Sequence, residues 1–252
     1  MPLTQLVDGF RDAVVVVIGG KGGIGREVVR MSADMGARVV AASASMTGDP
    51  TSLKAVAPGK VAECAVNLHD TTSIRALTEG VKVAFGRIDV LVNAAGITKQ
   101  VPLKELDALT DDIIDLVMIS NARAPLALIR EMRPLLEAGR DPVFVQVSSV
   151  AACTGIGSSI AYVGAKAAMD AMMVSLAKVL APRIRVVSVA PSALRTSFVT
   201  GRGEEFFQAT IKATPMERLA TPAEVATAIL SAARLLTATT GTVLYVDGGR
   251  HL

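Results

Sequence analysis

The chain contains no tryptophan, and only 3% of its 252 residues are aromatic. Its core must therefore be aliphatic, and a nucleic-acid groove, which uses exposed aromatics for base stacking, is not expected. No run of lysine or arginine stands out, and the net charge is only +3. That suits a mild attraction for phosphorylated ligands and argues against a polyanion-binding stripe. Two cysteines, Cys64 and Cys153, are too few and too far apart for a disulfide framework or a zinc site. With His69 and His251 as the only histidines, no metal site is expected. Long apolar runs are missing as well: Val14–Ile18 is far shorter than the roughly 20 residues of a membrane-spanning helix. The N-terminus lacks a signal-peptide layout. The expectation is a cytoplasmic protein with neither membrane nor nucleic acid as partner.

What is present is aliphatic and patterned. Hydrophobic residues make up 51% and charged ones 19%, a balance suited to parallel strands covered by helices on both faces. Short apolar runs at 14–18, 38–42, 60–66, 88–92, 143–147, 184–190 and 242–246 alternate with helical patterns at 25–35, 72–85, 111–137, 160–180 and 222–235. Strand and helix repeated in this order predict an α/β fold, a doubly wound parallel sheet of seven strands, in one domain over residues 1–252. Pro222 falls where a first helical turn needs no N–H.

The stretch "VVVVIGGKGGIGRE" carries a buried-looking strand into glycines at 19, 20, 22, 23 and 25 and then into a helix. That context makes a dinucleotide site credible, because the glycines admit a pyrophosphate and the helix N-terminus offers free N–H groups. Tight packing alone is the competing account of such a turn. Gly20, Gly22 and Gly25 fit G-x-G-x-x-G, while Gly19, Gly23 and Gly25 fit G-x-x-x-G-x-G. After the next strand the position that reads the adenosine ribose falls on Ser43, with no carboxylate to bind both hydroxyls. Ser43, Ser45 and Lys21 could instead hold a 2′-phosphate, so NADP(H) is favoured over NAD(H).

Downstream come "VNAAG" (92–96), Asn121 in "MISNARAPLAL", "FVQVSSVAA" (144–152), "YVGAK" (162–166), "VVSVAPSALRT" and "GTVLYVDGG". In order and spacing these resemble the short-chain dehydrogenase/reductase family, Rossmann-fold oxidoreductases, over essentially the whole chain. The resemblance selects Gly19, Gly23 and Gly25 as the signature and leaves Gly20 and Gly22 as extra freedom. It implies catalytic Asn121, Ser149, Tyr162 and Lys166. It also implies cofactor contacts at Gly19, Lys21, Gly23, Ile24, Gly25, Ser43, Asn67, Leu68, Asn93, Gly96, Pro191 and Thr196, besides Tyr162 and Lys166. Tyr162 would exchange a proton with a carbonyl or alcohol oxygen during hydride transfer, Ser149 would hydrogen-bond that oxygen, Lys166 would hold the nicotinamide ribose, and Asn121 would hold a water that relays protons. Some positions depart from the pattern: Ile18 stands for threonine, Ala94 for asparagine, Asn67 for aspartate and Ser192 for glycine.

Tyr162 and Lys166, four residues apart on a helix, share a face. A tyrosine titrates near pH ~10, and a neighbouring ammonium with a cationic nicotinamide would bring that value down. Ser148 should face away from Ser149 and tie to backbone. A hydrolase built on Ser149 is a poor alternative, since no G-x-S-x-G surrounds it. Residues 195–219 correspond to the family's substrate cover, and Phe198, Phe206 and Phe207 make it an apolar, mobile lid. Cys153, Ile156 and Ser158 should line the opposite wall, with Cys153 as a small wall residue or a reactive thiol. Arg195 and Arg202 are the candidates for a substrate carboxylate. The substrate would be a small or medium ketone or its secondary alcohol, with a 3-oxoacyl thioester as alternative; a non-catalytic nucleotide-binding regulator on this fold is the rival from another class. The helix over 160–180 is apolar nearly all round, which points to packing against another subunit or to a buried interior helix; the resemblance implies a homodimer there, or a homotetramer through the last strand as well.

Overall fold

The structure, a computed structural model, describes residues 3–196, 198–199 and 201–252, with side chains from residue 6 onward. Its seven-stranded sheet is parallel throughout, in the order β3-β2-β1-β4-β5-β6-β7. The strands are β1 (Val14–Ile18), β2 (Arg38–Ser43), β3 (Val61–Ala65), β4 (Val90–Asn93), β5 (Val143–Val147), β6 (Arg185–Pro191) and β7 (Thr242–Val246). All seven expected strands are present, and the seven-stranded doubly wound reading holds.

Strand β1 shows why both faces are covered. Its five residues are all buried, and successive side chains point to opposite faces. Val16 and Ile18 enter one aliphatic core with α3 (Thr71–Phe85), α5 (Ala124–Glu137) and α7 (Ile160–Leu180). Val15 and Val17 enter the other, with α1 (Leu3–Phe10), α2 (Gly23–Asp34) and α9 (Pro222–Arg234). From β1 the chain winds outward to β3, returns to β4 and winds the other way to β7. The reversal between β1 and β4 opens a crevice at the C-terminal strand ends, where ligands of such sheets bind.

Local signals set the helix ends. Thr221 and Glu224 form a reciprocal capping box, with Pro222 in the first turn of α9. The Ser159 hydroxyl accepts from the Tyr162 N–H at 3.2 Å and starts α7, a cap that contributes about 1 kcal/mol.

The continuous helix expected over 111–137 is instead two helices, α4 (Asp111–Met118) and α5, joined by a π-helical turn at Ile119–Arg123. Three further helices were not anticipated: α1, α6 (Ala151–Thr154) and α8 (Glu204–Lys212). Helix α1 is held by Arg234, whose Nε donates to the Gly9 carbonyl at 2.9 Å while its guanidinium lies over the Phe10 ring.

Candidate active site

The glycine turn follows from steric demands. Gly19 adopts φ +79°, and a Cβ there would lie 2.7 Å from the Ala95 nitrogen. A Cβ on Gly25 would run into the Gly19 carbonyl oxygen, and one on Gly23 would lie 2.8 Å from Thr196 Cγ2. The selection of Gly19, Gly23 and Gly25 thus has a steric basis. Gly20 is more constrained than expected, since its Cβ would meet Ala41 Cβ at 2.9 Å; Gly22 faces only the Gly19 oxygen, at 3.3 Å. Helix α2 begins here without a side-chain cap, and residues 22–25 line the main cavity. A bare helix N-terminus on the cavity wall, reached by a turn too tight for side chains at Gly19 and Gly25, fits a dinucleotide pyrophosphate.

Ile18, which stands where the family has threonine, turns its side chain into the core, while its carbonyl accepts from the Ala94 N–H at 2.9 Å in the β1–β4 pairing. Asn93 differs from its expected role as a cofactor contact. It is wholly buried behind the Ala94–Gly96 segment that lines the cavity, its Nδ2 donating to Gln146 Oε1 at 2.9 Å and its Oδ1 accepting from the Ala95 N–H at 3.2 Å. Gln146, missed in the sequence, completes this support by donating to the Val147 carbonyl at 3.0 Å.

At the far end of the turn, Lys21 Nζ donates to the Ser45 carbonyl at 3.0 Å, and the Ser43 and Ser45 hydroxyls lie 3.3 Å apart. The three residues suggested for a 2′-phosphate therefore meet. Asn67 turns its Oδ1 to the His69 N–H at 3.0 Å, and Leu68 packs half-buried against the core, so both side chains serve their own turn. Pro191 and Thr196 line the cavity, as do Ile24 and Gly96.

Around the strand ends the four catalytic candidates converge. Ser149, Tyr162 and Lys166 line the cavity, and Asn121 lies directly behind Gly96. Lys166 Nζ donates to the Val147 carbonyl at 2.9 Å and lies 5.7 Å from the Tyr162 ring centre. The π-turn presents Asn121, whose Nδ2 donates to the carbonyls of Ile97 at 2.7 Å and Val117 at 2.8 Å. Its Oδ1 is buried and, among the described residues, unpartnered, aimed at Gly96, which Lys166 Nζ also approaches.

The electrostatics depart from expectation. Burial pushes the Tyr162 phenol up to about 12, opposed by hydrogen bonding with Ser149 and by the charge of Arg202. Desolvation pushes Lys166 down to about 8, against the pull of Asp170. Removal from water thus outweighs the mutual effect of the pair that the sequence emphasised. Asp170, also missed, sits one turn beyond Lys166 and accepts from the Ser148 hydroxyl at 2.7 Å. Ser148 therefore ties to a side chain rather than to backbone. The period-four series Tyr162, Lys166, Asp170 was the available signal.

The cavity, about 690 Å³, continues from this centre toward residues 195–219. Ser197 and Thr200, within the segment expected to form a lid, lie outside the described residues. Phe198 brings its ring to 6.3 Å from that of Tyr162, and Phe206 lines the cavity, whereas Phe207 turns inward against Phe206 at 5.5 Å. Ile156 and Ser158 line the facing wall, but Cys153 does not. Its Sγ donates to the Val150 carbonyl at 3.3 Å on the outside of the short helix α6, and Thr154 takes the wall position. Arg195 is held by Glu204 through bonds of 2.6 and 2.7 Å, so it is not open to a substrate carboxylate. Arg202 lies over the Phe206 ring at 4.3 Å and lines the cavity. Residues 250–252 line it too, steadied by His251 Nδ1 at 2.7 Å from Asp247 Oδ2 and by stacking on Tyr245.

A family model described as enoyl-(acyl carrier protein) reductase matches residues 18–251. The chain is 33% identical to the granaticin polyketide synthase putative ketoacyl reductase 2 of Streptomyces violaceoruber, covering 95% of this chain and 96% of that one. It is 32% identical to the 3-oxoacyl-[acyl-carrier-protein] reductase FabG of Thermotoga maritima, covering 94% and 96%. Among solved structures, the Pseudomonas aeruginosa RhlG/NADP active-site complex is similar at a TM-score of 0.84 and 25% identity, over 96% of this chain and 98% of that one.

Proposed function

The chain belongs to the short-chain dehydrogenase/reductase family of oxidoreductases, and from that premise we propose that it interconverts a ketone and its secondary alcohol with NADP(H). The convergence of Asn121, Ser149, Tyr162 and Lys166 at one end of the cavity carries this reading. A bound nicotinamide would supply or accept the hydride. The remaining work falls to the chain's own groups. Tyr162 Oη, protonated at neutral pH, gives its proton to the oxygen of the reacting carbon in reduction and takes it back in oxidation. Ser149 Oγ hydrogen-bonds the same oxygen and stabilises its developing charge. Lys166, cationic near the tyrosine, favours the phenolate that forms when the proton leaves. Asn121 Oδ1, buried without a partner among the described residues, is the atom suited to hold a relay water beside Gly96.

Gly19, Gly23 and Gly25 would hold the pyrophosphate, and Lys21, Ser43 and Ser45 would favour the 2′-phosphate of NADP(H). Residues 195–219 would act as a lid, bringing Phe198 and Phe206 over the substrate and excluding water. A 3-oxoacyl thioester is the second reading, favoured by the names of the ketoacyl reductase relatives. On the outer face of α7, Ile160, Val174 and Val179 are exposed, which supports pairing of two copies there. Tyr245 on the edge strand β7 is also exposed and supports a tetramer. By composition α7 could cross a bilayer, but the inward placement of Tyr162 and Lys166 favours a soluble, cytoplasmic enzyme.

The test is oxidation of NADPH with a panel of ketones and 3-oxoacyl thioesters. Turnover is expected, and Tyr162→Phe should lower it about 10²- to 10⁴-fold while NADPH binding, read by fluorescence, stays intact. Binding without turnover of any carbonyl would leave the non-catalytic regulator as the better account.

A further inference from the structure

The charged side chains on the cavity wall are one-sided. Lys166, Arg202 and Arg250 line it, and among the described residues no aspartate or glutamate does. The two arginines of the covering segment differ sharply. Arg195 lies outside the cavity wall and is neutralised by Glu204, whereas Arg202, half-buried on the wall, has no carboxylate partner among the described residues. Its flat face rests on Phe206, which leaves the N–H edge as its polar surface. It lines the same cavity as Ser149, Tyr162 and Lys166, and its charge acts to lower the Tyr162 phenol. A cation partly withdrawn from water and edged by apolar groups gains most from a planar anion that can accept two parallel hydrogen bonds.

We propose that Arg202 is a specificity residue that takes the carboxylate of an oxo acid whose ketone lies at Ser149 and Tyr162. This rests on the carbonyl-reduction reading above and narrows it: the preferred ketone carries a free carboxylate on the lid side. A thioester or ester presents no charge there. Phe198, Phe206 and Ile156 would enclose the carbon chain between the two polar ends.

The experiment compares 3-oxobutanoate, 4-oxopentanoate and 5-oxohexanoate with their methyl esters, using wild type, Arg202→Gln and Arg202→Lys. Melting temperatures check that the variants fold. For at least one chain length the wild type should prefer the acid about tenfold or more. Arg202→Gln should lower kcat/KM for that acid about 10- to 100-fold more than for its ester, mainly through KM. The lysine variant should recover part of the loss. Equal losses for acid and ester would overturn the proposal, because Arg202 would then act only on Tyr162 or on the lid. A wild-type preference for the esters would overturn it too.

A second arm does not require turnover. Calorimetric titration of hexanoate into the wild-type protein with NADP⁺ present should show binding that Arg202→Gln weakens about tenfold or more. If no carbonyl is reduced but this difference holds, the reduction reading fails and the anion site stands. If hexanoate binds both proteins equally, or neither, the anion site fails whatever the turnover.

Discussion

The Ser148 hydroxyl donates to Asp170 Oδ2 at 2.7 Å, joining the end of β5 to α7 one turn beyond Lys166. Ser148 and Ser149 both line the cavity, and Ser148 commits its hydroxyl to the carboxylate behind Lys166.

That carboxylate sets a pH dependence. Lys166 is pushed down to about 8 by burial, and Asp170 acts in the opposite direction by favouring the charged form. Reduction should accordingly weaken as pH rises past about 8, where Lys166 loses its charge. Asp170→Asn removes the favourable carboxylate, so this alkaline limb should move to lower pH, by about one unit. A pH profile of kcat/KM reads the shift, and an unmoved limb would separate Asp170 from Lys166. The stability effect has a definite sign. Between about 8 and the ordinary lysine value near ~10.4 the unfolded chain holds a proton that the folded Lys166 has released, so this residue makes stability rise with pH there.

The glycine turn makes a sharper comparison. Gly25→Ala drives a methyl into the Gly19 carbonyl oxygen, whereas Gly22→Ala meets that oxygen at 3.3 Å. Gly25→Ala should weaken NADPH binding at least tenfold, a cost of about 1.4 kcal/mol or more. Gly22→Ala should stay within about threefold. Fluorescence titration of both variants, with circular dichroism to check folding, decides it; equal losses would contradict the assignment.

At the adenosine end, Lys21 bonds to the Ser45 carbonyl and brings its charge beside the Ser43 and Ser45 hydroxyls. Wild type should bind NADPH more tightly than NADH. Lys21→Met should remove most of that preference, a change of about 1 kcal/mol for a solvent-exposed charge, with little effect on NADH. Equal affinities of the wild type for the two coenzymes would refute the argument.

The strands, the glycine turn and the Tyr162/Lys166 pair were legible because each is written in short-range pattern, while Asn121 and Ser149 entered through the family resemblance. Val14–Ile18 reads as buried, and Tyr162 and Lys166 share a face by helical spacing. What escaped depends on tertiary placement. Cys153 is near the wall in sequence, but the turn of α6 rotates it outward and puts Thr154 in its place. Nothing local distinguishes Arg195 from Arg202; Glu204 does so by pairing with one of them. The lining by residues 250–252 depends on Asp247 folding the chain back through His251. Burial, invisible in a motif, raises the Tyr162 phenol in the protein without its cofactor.

The π-turn at Ile119–Arg123 has a consequence for the whole layer. It amounts to one residue more than an α-helix would use, and each residue turns a helix by about 100° and lengthens it by about 1.5 Å. Deleting any single residue between Asp111 and Glu137 could relax the bulge into regular helix. Asn121 would then swing from behind Gly96; were the bulge kept instead, α5 would turn its Leu128, Met132 and Leu136 side chains out of the core. The segment is thus a ratchet with one permitted tooth: its length is dictated from both ends at once, by the seat of Asn121 behind Gly96 and by a packed core.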